Sequence, residues 1–281
     1  MTLFNRVIQT KIGKAVGEGI DVSDLRVSFT IYKAIDPTSN SCRITIYNMA
    51  ENTRNQIREI DDVITISAGY ADDAGAKLMF TGDILKINHK VRAPDIISEV
   101  EAGDGAKTLR ETRISISFRE GAEVKSVLED IASKLDITLR PLPDDIQGQY
   151  IHGFSFAGSA KEGLNKVTER IDLVWSVQNN ELQILKRRAA IKLVPKQISY
   201  STGLLEAPEK LTDLKANLEK DKPKPGYSLR MLLLPDVEPG QTVNIDAGLV
   251  SGLYRVDLVT HVGDNEGFDF ITNLEVSEYS E

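Results

Sequence analysis

Two stretches of this chain carry the same phrase at a fixed spacing. Phe80, Asp83, Ile84 and Leu85, followed by Asp95, Ile96, Ile97, Ser98, Val100 and Glu101, match Tyr254, Asp257, Leu258 and Val259, followed by Asp269, Phe270, Ile271, Thr272, Leu274 and Glu275. Every pair lies 174 residues apart. Upstream, residues 63–69 resemble residues 242–248 at an offset of 179, so the intervening loop is five residues shorter in the second copy. The later copy, residues 241–276, reads as a strand (242–245), a turn through Gly248, a strand (253–259), a Gly-Asp turn and a strand (268–276). Alternation is generic to strands, so the apolar matches alone arise by chance. The matched acids and the constant spacing favour a diverged duplication.

A chain of 281 residues has room for two domains or one large one around a substantial core. Its net charge of −8 makes it a poor generic ligand for a nucleic-acid backbone, which is held by cations that displace counterions. The single cysteine, Cys42, lies in an alternating strand and is expected to be a small buried apolar residue. It has no partner for an intrachain disulfide. Residues 1–6 lack the apolar run of a signal peptide, and no window is long and apolar enough to cross a bilayer, so no membrane anchor is expected. The expected compartment of synthesis is a cytoplasm.

In chain order, residues 25–33 alternate as a half-buried strand, Asp36-Pro37-Thr38-Ser39-Asn40 turns, and Cys42, Ile44 and Ile46 continue on a second strand. Asn48 or Asn52 is placed to cap a short helix through about Ile60, with Ile57 and Ile60 inward. Strands follow at 63–68, 78–91 (bulged near Gly82-Asp83) and 95–102. One helix on a run of antiparallel strands predicts a small sandwich or barrel. After Gly103-Asp104-Gly105 the character changes. A strand at 113–118 precedes a helix carrying Val124, Val127, Leu128, Ile131, Ala132 and Leu135 at helical spacing. Ser159 with Glu162 is a capping box for a second helix with Leu164, Val167 and Ile171 inward. Asn179-Asn180 joins strands 173–178 and 181–186 in a tight hairpin. Residues 220–226 read as a surface loop, and 227–234 as a strand buried on both sides or covered by a neighbour.

No chemistry emerges from the residues. His89, His152 and His261 belong to no paired ligand spacing and read as surface or interface histidines. There is no Gly-x-Ser-x-Gly elbow. Gly13-Lys14-Ala15-Val16-Gly17-Glu18-Gly19 lacks a preceding strand and a terminal Gly-Lys-Ser/Thr. Asp83, Asp104 and Asp264 each follow a glycine, which is ordinary turn chemistry, and Asp144-Asp145 adds a cluster unremarkable among 42 acids. Trp175 sits in an apolar strand and reads as core. The chain is therefore expected to have no catalytic residue, no metal site and no cofactor.

Three passages resemble baseplate hub proteins of contractile-tailed bacteriophages of the Mu-like type. They are Ser41-Cys42-Arg43-Ile44-Thr45-Ile46-Tyr47-Asn48 with its short helix; Phe80-Thr81-Gly82-Asp83-Ile84 with Glu101-Ala102-Gly103-Asp104-Gly105; and Gly252-Leu253-Tyr254-Arg255-Val256 with Thr260-His261-Val262-Gly263-Asp264. The resemblance spans nearly the whole chain, through structural phrases and not catalytic signatures. It implies an α+β, mainly β fold: two related, tail-tube-like β-barrel domains (1–106, carrying the short helix, and 191–281) around an inserted α+β domain (107–190). It implies a structural homotrimer in the virion tail baseplate, assembled in the host bacterial cytoplasm. Six similar barrels would then join a hexameric tail tube protein to a trimeric central spike protein, beside other baseplate proteins. A channel would pass DNA and the tape-measure protein without specific binding, and an acidic lining would suit that passage. Two readings compete with it. One is a tail-associated cell-wall hydrolase, which needs two suitably spaced carboxylates. The other is a nucleic-acid-binding barrel, which the missing basic-aromatic surface disfavours.

Overall fold

The computed structural model describes residues 5–14, 19–38, 40–57, 62–143, 146–211 and 226–279. The expectations for residues 1–4, 15–18, 220–225, Ser39, Ile60 and Asp144-Asp145 lie outside these.

The first part of the chain is β1 (Arg6–Gly13), β2 (Ile20–Asp21), β3 (Val27–Ala34), β4 (Ser41–Tyr47), helix α1 (Glu51–Gln56), β5 (Val63–Tyr70), β6 (Gly75–Arg92) and β7 (Asp95–Gly103). The middle holds α2 (Ala106–Glu111), β8 (Arg113–Phe118), β9 (Ala122–Glu123), α3 (Val124–Leu135), β10 (Thr138–Leu139), β11 (Gln149–Tyr150), β12 (Phe154–Ser159), α4 (Ala160–Thr168), β13 (Leu173–Gln178) and β14 (Glu181–Lys186). The last part is β15 (Lys196–Ser199), β16 (Glu209–Leu211), β17 (Gly226–Leu232), β18 (Thr242–Ala247), β19 (Val250–Asp264) and β20 (Phe270–Ser277). The fold is mainly β.

Among the described residues, thirteen strands from the two outer parts share one sheet, in the order β16-β17-β20-β19-β3-β4-β7-β6-β5-β1-β2, with β18 on β19 and β15 on β18. Strand for strand, β3-β4-β7-β6-β5-β1 is repeated as β16-β17-β20-β19-β18-β15. The two series differ at their ends, since β1 runs antiparallel to β5 but β15 runs parallel to β18. Each carries a bulge at the same place in its meander, at Leu85 between Ile84 and Lys86 and at Asp257 between Val256 and Leu258.

The bulges correct the single offset expected from sequence. β5 and β18 do correspond at 179 and β7 and β20 at 174, but β6 and β19 correspond at 172. The turn into β20 is two residues longer than the turn into β7, so the second strand of the later meander slides back by two. Asp257 therefore matches Leu85 and not Asp83, while Asp95 with Asp269 and Glu101 with Glu275 stay matched.

Apolar alternation builds each core. Phe29, Ile31, Ile44, Ile46, Ile64, Ile66, Phe80, Ile84 and Val100 lie in one cluster, which also takes in Leu233 and Phe270 from the last part. Leu229, Met231, Val243, Ile245, Val256, Val259, Leu274 and Val276 form a second cluster. In the middle part all six residues of the α3 stripe are buried, packing with Leu164, Val167 and Trp175. Burying each such side chain contributes about 1.5–3 kcal/mol. The Ser159–Glu162 capping box forms as expected, and Trp175 Nε1 donates to Asn165 Oδ1 at 2.8 Å.

Other expectations change. Ala50 is the N-cap of α1, with no side-chain cap; Asn48 instead takes a left-handed backbone and pins the start of β7, bonding Asp95 and the N–H of Ile96. The bulge expected near Gly82-Asp83 is present at Leu85, and a second lies at Met79. A strand, β1, does precede Gly13. Of the two readings of β17, burial on both sides fails, since Arg230 is exposed and pairs with Glu206, while neighbours β16 and β20 flank it. Ile171 is only partly buried, in a short 3-10 turn after α4.

Candidate interaction sites

A buried polar knot holds the three parts of the chain together, and it starts from a turn. Asn179 and Asn180 both have positive φ, 55° and 63°, the geometry of a two-residue turn whose twist matches its strands. That leaves both of their N–H groups pointing outward from the hairpin tip, and both donate to the carboxylate of Asp104 at the end of β7. Asn179 also accepts from Lys33 Nζ of β3 at 2.9 Å and donates to Glu238 Oε1 at 2.9 Å. Glu238 in turn accepts from Arg140, which also bonds Glu181 and Gln183. Nearby, Asn40 accepts from the N–H of Ala34 and donates to Val177 O and Gln178 Oε1, and Gln178 returns a bond to Ala34 O.

Burial dominates the electrostatics here. It pushes the Asp104 carboxyl above the usual range, against the pull of the Asn180 N–H and the Lys33 charge. It pushes the Lys33 amine down, against Glu238 and Asp104. Such a network adds little net stability over apolar packing, but each member finds its partners in one arrangement only. It sets how the middle part sits on the sheet.

The residues weighed for chemistry are absorbed into structure one by one. Asp83 accepts from the N–H of Lys107. Asp264 pairs with Arg26 at 2.9 Å and accepts from the N–H groups of Glu266 and Gly267, closing its turn. Cys42 is buried, and desolvation raises its thiol well above the ordinary value. The three histidines lie apart. Among the described residues no cluster of three or more His, Cys, Asp or Glu could hold a metal ion.

His261 corrects an expectation, since it is 1% exposed and not a surface residue. Its Nδ1 pairs with Thr272 Oγ1 at 2.8 Å across β19 and β20, and burial lowers its pKa to about 3. His89 pairs with Ser98 Oγ at 2.9 Å across β6 and β7. By the register of the two meanders His89 corresponds to His261 and Ser98 to Thr272. The hydroxyl pair already lies at the 174-residue spacing, whereas the histidine match, at 172, is invisible at that offset.

The two outer parts meet through a strand ladder. Residues Ser28–Ala34 of β3 pair antiparallel with Leu258–Asp264 of β19, seven residue pairs in all. The distal half of β19 is thus flanked by β20 on one side and β3 on the other. The matching half of β6 is flanked by β7 alone among the described strands, and β16 by β17 alone.

No curated protein sequence matches the chain. The fold is that of known tail proteins. The 43 kDa tail protein of prophage MuSo2 from Shewanella oneidensis superposes with a TM-score of 0.68 at 9% identity, covering 98% of each chain. A tail protein from Neisseria meningitidis MC58 gives 0.66 at 10% identity, over 98% of this chain and 97% of the other. The E. coli c3393 protein, a type VI secretion component described as structurally similar to the T4 tail proteins gp27 and gp5, gives 0.59 at 9% identity, over 91% and 74%. The family model for baseplate hub gp41 matches residues 9–248. A baseplate hub is a structural component of the virion tail and not an enzyme, which removes the hydrolase reading. The chain belongs to the baseplate hub gp41 family.

Proposed function

We propose that three copies of this chain form a hub ring with six like β-units, joining a hexameric tail tube to a trimeric central spike in a contractile tail. One observation carries the reading. Each chain supplies the same strand series twice, and the two series stand edge to edge in one sheet. A chain built this way offers two successive, near-equivalent places to a ring, and three copies offer six. In this reading residues 1–106 and 191–281 are the two barrel-like domains, and 107–190 is the inserted domain held beside them by the Asp104 knot. The channel through such a ring would pass DNA and the tape-measure protein, and the net charge of −8 suits passage without adhesion. Tube, spike and neighbouring baseplate proteins are the partners.

Image averages of the purified chain, with mass photometry, test this directly. A three-copy ring with a central opening is the expected result. Monomers alone at every soluble concentration, with and without the spike, would overturn it.

A further inference from the structure

We propose that the distal half of β6, residues 86–92, seats β16 of a second copy of this chain in an antiparallel ladder; this rests on the hub reading above. The template is inside the chain. β19, the counterpart of β6, has its distal half covered by β3, and β3 is the counterpart of β16. The distal half of β6 pairs only with β7 among the described strands, and the outer edge of β16 pairs with none. Within one chain the two edges do not meet: six strands lie between β16 and β6 in the sheet, and no ladder joins them among the described residues. An unpaired edge is a row of free backbone donors and acceptors that another strand completes.

The register transfers residue by residue. β7 matches β20 and β4 matches β17, which places Glu209 at Thr30, Lys210 at Ile31 and Leu211 at Tyr32. In β3 those residues face Val262, His261 and Thr260. Their counterparts in β6 are Lys90, His89 and Asn88, so the ladder is Glu209 to Lys90, Lys210 to His89 and Leu211 to Asn88. Glu209 and Lys90 are of opposite charge, as suits a directly opposed pair. Glu206 precedes β16, and Lys86 and Arg92 flank the same stretch of β6, which extends the complementarity.

Burial within the single chain agrees. Leu258 and Val259, beneath the β3 ladder, are 4% and 0% exposed, and His261 is 1% exposed. Their counterparts Lys86 and His89 are exposed and Ile87 is only partly covered, and Val91, the counterpart of the buried Gly263, is 79% exposed. The same strand, with the same histidine–hydroxyl pair, is flanked by a second strand in one copy and, among the described strands, not in the other. A contact between two different edges is head-to-tail and repeats around a ring.

The test is a pair of cysteines, Glu209→Cys with Lys90→Cys, in the full chain. Directly opposed residues of an antiparallel pair lie about 4.5–5.5 Å apart at Cα, within disulfide reach. Mild oxidation is expected to give covalently linked chains limited to three copies, absent from either single variant. The link should be lost when Asn88→Cys replaces Lys90→Cys, since that position is two residues out of register. Unfolding curves matching the parent chain show that the variants are folded. Trimers that fail to link at the 209–90 pair overturn this proposal and leave the hub reading standing. Linked ladders beyond three copies support the edge pairing and overturn the three-copy ring. Chains that neither associate nor link, with and without the spike, overturn both.

Discussion

His89 and His261 occupy the same place in two copies of one meander, yet His261 is buried and His89 exposed. Each holds a hydroxyl on the facing strand, Ser98 or Thr272, at 2.9 and 2.8 Å. What separates them is β3, which lies against β19 but has no counterpart on β6 among the described strands.

His261 makes stability depend on pH in a fixed direction. Its folded pKa is lowered to about 3, so on acidification the unfolded chain takes up the proton first. Its contribution is complete above about pH 6.5 and is lost as pH falls towards 3, at up to about 1.4 kcal/mol per pH unit. Urea unfolding from pH 8 to pH 4 should show a flatter profile for His261→Leu than for the parent chain. Parallel profiles would count against a buried neutral imidazole.

Asp104→Ala strands the N–H groups of Asn179 and Asn180 at a half-buried junction. An unmet buried donor costs about 1–3 kcal/mol, and because Asn179 is half-buried and Asn180 exposed, a total loss of about 1–3 kcal/mol is expected in denaturant unfolding. Proteolysis around residue 104 should also quicken, because the hairpin tip loses its anchor.

Glu238→Ala removes a charge facing Lys33, whose side chain is 2% exposed. Breaking a buried pair from one side costs about 3–5 kcal/mol, the lower figure applying where, as here, one partner is partly wet. Combining Lys33→Met with Glu238→Gln should recover most of the loss. Additive losses in that double variant would show that Lys33 matters through its stem and not its charge.

Asn180 tests the turn itself. A β-branched residue at φ 63° is strained by about 1–2 kcal/mol, whereas glycine is at home there. Thermal melts should place Asn180→Val well below the parent chain and Asn180→Gly close to it.

Much of the fold was legible because its signals are local. Period-2 runs such as Val27, Phe29 and Ile31, the α3 stripe, the Ser159–Glu162 box and the Asn179-Asn180 turn each declare themselves within a few residues. The hub resemblance was legible too, from phrases that span the chain. Less visible was anything set by partners distant in sequence. His261 reads as a surface or interface residue until β3 is paired beside it, and Asn48 reads as a cap until β7 claims its side chain. β1 does not declare itself, because its mixed sequence pairs with β5 more than fifty residues later. The knot at Asp104 is hidden for the same reason. A Gly-Asp-Gly phrase looks like any turn, and nothing near it in sequence hints that Lys33, Asn179 and Glu238 converge on that spot. The two-residue slip between β6 and β19 shows a further limit: a constant spacing in sequence can conceal an insertion that only hydrogen-bond register exposes.

The seven-pair ladder between β3 and β19 also has a mechanical meaning. Tension along the strands loads every rung together, so the seam must shear as a unit. Tension across them would peel one rung at a time. A seam of this kind is stiff along one axis and weak along another, and the direction in which force reaches β3 decides whether the two halves of the chain hold or part.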